Sequence, residues 1–196
     1  MKKLLGRRNA FVAAFWNFLG LCFLLAACSP RQDFNRLPLE SKNGFNAVIA
    51  TPAGSNALFS WNSQQKIFKA AGRADLLPCP VNLGFLPGWR GNGPPPMAAV
   101  IAENFEQGAV VEVLPLALLR LRTHEGQIIP IVILYPQSTE QRAIRATTFR
   151  SFMIEYDAAK RILETWFQHY QGFGRLELVD WEDEAYALRY IRGQIN

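Results

Sequence analysis

The 196 residues are enough for one domain and a leader. A formal charge of +5 and a pI near 9.3 would ordinarily suggest nucleic acid or an anionic surface. Four of the positive charges, however, sit on Lys2, Lys3, Arg7 and Arg8, so the remainder is nearly neutral and no nucleic-acid partner is expected.

Those four cations open a basic region that is followed by the mostly apolar run from Phe11 to Ala27. The run is short for a bilayer span and ends in small residues, the pattern of a secretory signal. Its ending, Leu25-Ala26-Ala27-Cys28, resembles a bacterial lipoprotein box. The resemblance implies cleavage after residue 27 and acylation of the Cys28 thiol, which would anchor the chain in a bacterial envelope membrane. Ser29, standing where an aspartate would favour inner-membrane retention, points to the outer membrane rather than the inner. The expected organisation is thus a leader over 1–27, a polar tether over 28–44 punctuated by Pro30 and Pro38, and one domain over 45–196.

Cysteine usage agrees with this division. Cys22 falls in the leader and Cys28 would carry lipid, which leaves Cys79. One thiol cannot make an internal disulfide. Cys79 lies between prolines and reads as core filler.

Within the domain, Phe45 to Ala50 reads as a first strand that ends at Pro52-Ala53-Gly54. Leu58 to Trp61 and Lys66 to Lys69 read as a second and third strand around a turn at Asn62 to Gln65. Further strands are expected at Ala98 to Ile101, Val110 to Val113, Leu116 to Arg122 and Ile131 to Leu134. Short strands at this spacing, broken by Gly/Pro turns, argue for a small barrel or sandwich. Arg142, Arg145 and Arg150 then suggest a basic helix face, either solvated or turned to lipid headgroups. Asp157 is the expected N-cap of a helix with Ile162, Leu163, Trp166, Phe167 and Tyr170 on one side. Asp180-Trp181-Glu182-Asp183 has the character of a second helix start, with acids favoured by the dipole. The fold class is α+β.

Four blocks of this sequence resemble the soluble inorganic pyrophosphatases. Pro52-Ala53-Gly54-Ser55-Asn56 is similar to that family's Pro-Ala-Gly-Thr-Asn turn, and Pro80-Val81-Asn82-Leu83-Gly84-Phe85-Leu86-Pro87 to its Pro-x-Asn-Tyr-Gly-Phe-Ile-Pro. The stretch from Gly108 to Pro136 follows the family's Val-Val-Glu-Val region in length and rhythm. Trp166-Phe167-Gln168-His169-Tyr170-Gln171-Gly172 followed by Trp181-Glu182-Asp183 resembles its C-terminal pattern. The resemblance implies a five-stranded OB-type β-barrel flanked by C-terminal α-helices.

It also implies a chemistry that these residues do not reproduce. The family hydrolyses pyrophosphate with several Mg²⁺ ions, which need hard carboxylate ligands, while cations and tyrosines clamp the phosphates. Asn92, Pro94 and Met97 stand where the family's Asp-Gly-Asp-Pro-x-Asp loop has its aspartates. His124 and Ile129 take the places of two more acids, and Ile131 that of a lysine. Leu58 and Ser60 fall at a lysine and a glutamate, Leu83 at a tyrosine, Gln171 at a lysine. Tyr170 and Arg73 still match, and are the substrate-binding candidates that remain.

Replacing acids and lysines together by Pro, Met, Leu and Ile leaves no charge stranded. The expectation is an apolar cavity, with no catalytic residue, metal ligand or cofactor, in a membrane-anchored protein with a binding or scaffold role. Its protein partner or small ligand stays open. The competing expectation is an enzyme, either a divergent diphosphatase or another hydrolase drawing on His124, Glu125 and Tyr170. His124 and His169 otherwise read as a turn residue and a solvent-facing or capping residue.

Overall fold

The structure, a computed structural model, describes residues 32–90 and 94–194. The leader, Cys28 and Asn92 lie outside the described residues.

Among the described residues are eight strands and three α-helices. They are β1 Phe45–Thr51, β2 Ala57–Asn62, β3 Ile67–Arg73, β4 Asn82–Phe85, β5 Met97–Val100, β6 Val110–Thr123, β7 Ile128–Pro136 and β8 Leu176–Glu182, with α1 Phe149–Glu155, α2 Asp157–His169 and α3 Glu184–Ile191. The main sheet runs β1-β4-β5-β7-β6-β8, and a further pairing of β1 with β6 closes its first five strands into a ring. Closure leaves those strands without a free edge. Four of the five ring contacts are antiparallel, and β5 pairs with β7 in parallel. β2 and β3 form a separate hairpin.

β5 and β7 read as unbroken apolar runs because both faces are covered. In β5 and β7, Ala98, Val100, Val132 and Leu134 join one core cluster with Phe45, Ala47 and Ile49 of β1 and with Ala187 and Ile191 of α3. Their neighbours Ala99, Ile131 and Ile133 join the other, with Phe149 and Phe152 of α1 and Leu163, Trp166 and Phe167 of α2. The two-residue alternation of a strand thus deals successive side chains to different helices.

Several expectations are corrected. The stretches Val110 to Val113 and Leu116 to Arg122 are one strand, with a register shift against β7 between Pro115 and Ala117, where proline interrupts the ladder. Asp180-Trp181-Glu182 does not begin a helix but closes β8, which pairs antiparallel with β6. Only Asp183 caps α3, its carboxylate accepting the Tyr186 amide. Asp157 is the first residue of α2 rather than its cap, a position held by Tyr156. Ile162 is exposed, so the buried stripe of α2 is Leu163, Trp166, Phe167 and Tyr170.

The basic helix face also dissolves. Arg142 precedes α1, donates to the carbonyls of Pro136 and Gln137, and lies over the Tyr135 ring. The compact unit starts at Asp33. A 3-10 turn over Phe34–Arg36 buries Phe34 among Trp61, Phe68 and Phe85. A short polar composition hid one anchoring aromatic.

Candidate functional site

Residues from three of the blocks singled out in the sequence share the lining of one cavity. A cavity of about 700 Å³, within the usual range for small-molecule sites, lies between the β2–β3 hairpin and the strands β1, β4 and β5. β2 lines it with Leu58 to Trp61, and Leu83, Gly84 and Phe85 come from β4. Trp89 and the segment Pro94-Pro95-Pro96-Met97 close one side; Ile129, Tyr170 and Gln171 close another; Phe34 and Asn35 complete the wall.

Proline and strand chemistry explain this placement. Pro94 to Pro96 cannot donate ladder bonds, so pairing begins only at Met97, opposite Phe85 and Ile131. Tyr170 follows α2 directly and is held by stacking on Trp166, with centroids 5.0 Å apart. Trp166 in turn donates its indole N–H to the Leu77 carbonyl at 2.9 Å.

Leu58, Ser60, Leu83, Pro94, Met97, Ile129, Tyr170 and Gln171, all named from the sequence, are brought together in this lining. Ile131 is fully buried in the core instead. His124 and Glu125 are exposed on the turn between β6 and β7, and Arg73 ends β3; none of these three is in the wall. The residues that sequence reasoning missed are Phe34, Trp61, Phe85 and Trp89. Their signal was a density of aromatics across turns, which by itself does not distinguish a wall from a core.

Among the described residues the lining holds no Asp, Glu, Lys, Arg or His. Its polar groups are largely turned on one another. Thr51 Oγ1 accepts from the Phe59 amide at 2.8 Å, Trp61 Nε1 donates to Asn35 Oδ1 at 2.9 Å, and Gln171 Nε2 donates to Tyr170 Oη at 2.9 Å. Burial pushes the Tyr170 phenol up to about 12, because a phenolate would be poorly solvated there. Cys79 behaves alike. It is buried, donates its thiol to the Val81 carbonyl, and burial lifts it to about 12, far from the thiolate range a nucleophile needs.

Mg²⁺ is a hard cation that takes carboxylate and phosphate oxygens. The described lining offers only hydroxyls and side-chain amides, and no three His, Cys, Asp or Glu side chains among the described residues are grouped to hold a metal. The donors present do not fit a Mg²⁺ cluster.

Asp180 and Glu182 of β8 and Glu164 of α2 are engaged in ion pairs. Arg120 bonds Asp180 through two nitrogens at 2.7 and 2.6 Å and Glu182 at 2.9 Å, and lies over the Tyr186 ring. Trp181 donates to Glu164 at 2.7 Å, which also pairs with Lys160. These acids tie β8 to β6 and α2. Their role is structural.

Closed ring, added hairpin and C-terminal helices define an α+β protein built on an OB-like barrel. No protein-family model matches the chain. It is similar to the inorganic pyrophosphatase of Sulfolobus acidocaldarius, with 23% identity over 129 residues, 64% of this chain and 73% of that one. Among solved structures, the inorganic pyrophosphatase of Thermus thermophilus superposes with a TM-score of 0.69 at 20% identity, covering 83% of this chain and 96% of its own. The Neisseria gonorrhoeae inorganic pyrophosphatase gives 0.68 at 21% identity, with 82% and 95% covered. The chain is inorganic pyrophosphatase-like in fold.

Proposed function

We propose that the protein is a membrane-anchored, inorganic pyrophosphatase-like lipoprotein that has given up hydrolysis for a binding or scaffold role. The observation that carries this reading is the uncharged lining: Leu58, Ser60, Leu83, Pro94, Met97 and Ile129 converge where the resemblance would place acids, lysines and a tyrosine. Pyrophosphate is a polyanion. An uncharged wall offers no countercharge to replace its hydration, and its few hydroxyls and amides are largely bonded to one another, while without carboxylates to gather Mg²⁺ there is no activated water.

Anchoring through acylated Cys28 in an envelope membrane, the outer more than the inner, belongs to the same reading and rests on the Leu-Ala-Ala-Cys pattern. Tyr170 is retained from the substrate-binding pattern as a packing residue, its hydroxyl already bonded to Gln171. Arg73, at the end of the hairpin, is the other matching position.

Calorimetric titration of the membrane-extracted protein with Mg²⁺ and pyrophosphate, beside a phosphate-release assay, tests the loss of hydrolysis. The expected result is no saturable heat and no release above buffer. Mg²⁺-dependent turnover that disappears in Tyr170→Phe would instead establish the competing reading, a divergent diphosphatase. Mass analysis of the N-terminal peptide tests the anchor, with acyl mass on Cys28 expected.

A further inference from the structure

We propose that the cavity holds the acyl chain of a lipid from the membrane to which the protein is anchored. The inference rests on the lipoprotein reading above and names the ligand class for that same site.

The first argument is the chemistry of the wall. Trp61, Phe85, Trp89, Met97 and Ile129 surround about 700 Å³ of space, and the described lining carries no charge. A ligand seated there gains by removing apolar surface from water. A charged group would lose its hydration without compensation. A hydrocarbon chain with its headgroup left outside satisfies both conditions. Trp89 also lines the cavity, and its buried Nε1–H has no partner among the described residues, which offers a donor to an ester oxygen.

The second argument is position along the chain. Phe34 and Asn35 belong to the cavity wall, and Cys28 stands six residues upstream of Phe34. Six residues span at most about 20 Å when fully extended. An acylated Cys28 therefore keeps the cavity within that covalent reach of the bilayer, where acyl chains are the dominant apolar species. Tethering of this kind raises the effective concentration of a ligand without any added contact.

The test places the full chain, extracted from membranes, in lipid nanodiscs whose acyl chains carry bromine, a contact quencher of tryptophan. Trp61→Phe and Trp89→Phe assign the signal. Loss of most Trp61 and Trp89 emission is expected, with Trp166 and Trp181 unaffected. Ser60→Arg puts a guanidinium at an exposed wall position; it should restore the emission with unchanged circular dichroism, and Ala71→Glu should do the same. Equal quenching in both charged variants overturns the proposal, because the tryptophans then touch the bilayer rather than an enclosed chain. N-terminal peptide mass separates the two readings. Acylated Cys28 with unquenched Trp61 and Trp89 overturns the cavity site alone. Unmodified Cys28 with quenching supports the cavity site and removes the anchor, and failure of both overturns both.

Discussion

The side-chain oxygen of Asn82 accepts the backbone N–H of Ala53 at 3.1 Å, joining two sequence blocks that carry the family resemblance. The same oxygen accepts from Phe105 N at 3.1 Å, and the amide nitrogen donates to the Glu103 carbonyl at 2.8 Å. Asn82 is fully buried. The likeness in these blocks is thus maintained by a polar brace between loops, independent of any chemistry in the cavity.

Asn82→Ala leaves two amides and one carbonyl without their partner in a dry site. Unfolding in urea should show a loss of about 3–5 kcal/mol with an unchanged slope. A loss below about 1 kcal/mol would mean that water replaces the brace.

Gly84 and Gly54 separate two reasons for glycine. A Cβ at Gly84 would stand 1.9 Å from the Val48 carbonyl oxygen, so β1 and β4 approach too closely for any side chain. At Gly54 there is open space, but φ is +80°. Gly84→Ala should cost about 3 kcal/mol or more by forcing the backbones apart, and Gly54→Ala about 1–2 kcal/mol by strain alone. Thermal melts of the two variants should keep that order.

Acid should release the N-terminal turn before the barrel. The Lys66 ammonium, bonded to Asp33 at 2.6 Å, lowers the Asp33 carboxyl below its ordinary 3.8. A depressed carboxyl contributes stability above its unfolded value and loses it as pH falls through the folded one. Trp61, packed against Phe34 at 4.9 Å, reports the change. Its emission should shift below about pH 4, and Lys66→Gln should reduce that pH dependence, the Asn35 amide and Arg36 still acting on Asp33. A shift unchanged by the substitution assigns the effect to another group.

Cys79 should resist alkylation at pH 8 while the protein is folded, since burial holds its thiol near 12. Peptide mapping after urea titration should show modification rising along the same curve as unfolding. Ready labelling of the folded chain would contradict the buried placement.

How far the sequence could be read depended on the range of the interaction involved. β1, β5, β7 and, in two pieces, β6 were legible because their apolar runs reflect burial on both faces, a property of each segment alone; the short β4, Asn-Leu-Gly-Phe, carries no such run and was not expected as a strand. Leu58, Ser60, Leu83, Pro94, Met97, Ile129 and Gln171 could be singled out because the motifs of the resemblance index positions along the chain, and the structure gathers them in one lining. β8 was not legible, because its Asp180 and Glu182 look like helix-start acids until Arg120, some sixty residues earlier, is seen to bind both. Phe34 was hidden for the same reason, its partners Trp61, Phe68 and Phe85 being remote in sequence.

Residue order alone pointed to the α+β class and to most of the barrel strands, since pattern and residue type carry that information locally. Folding decided which of the singled-out residues share a wall: it collected Tyr170, Met97 and Ile129 around one cavity, left His124 on an exposed turn and sent Ile131 into the core. Those assignments depend on strand register and ring closure, where a shift of one residue turns a side chain to the opposite face, and no local pattern encodes them.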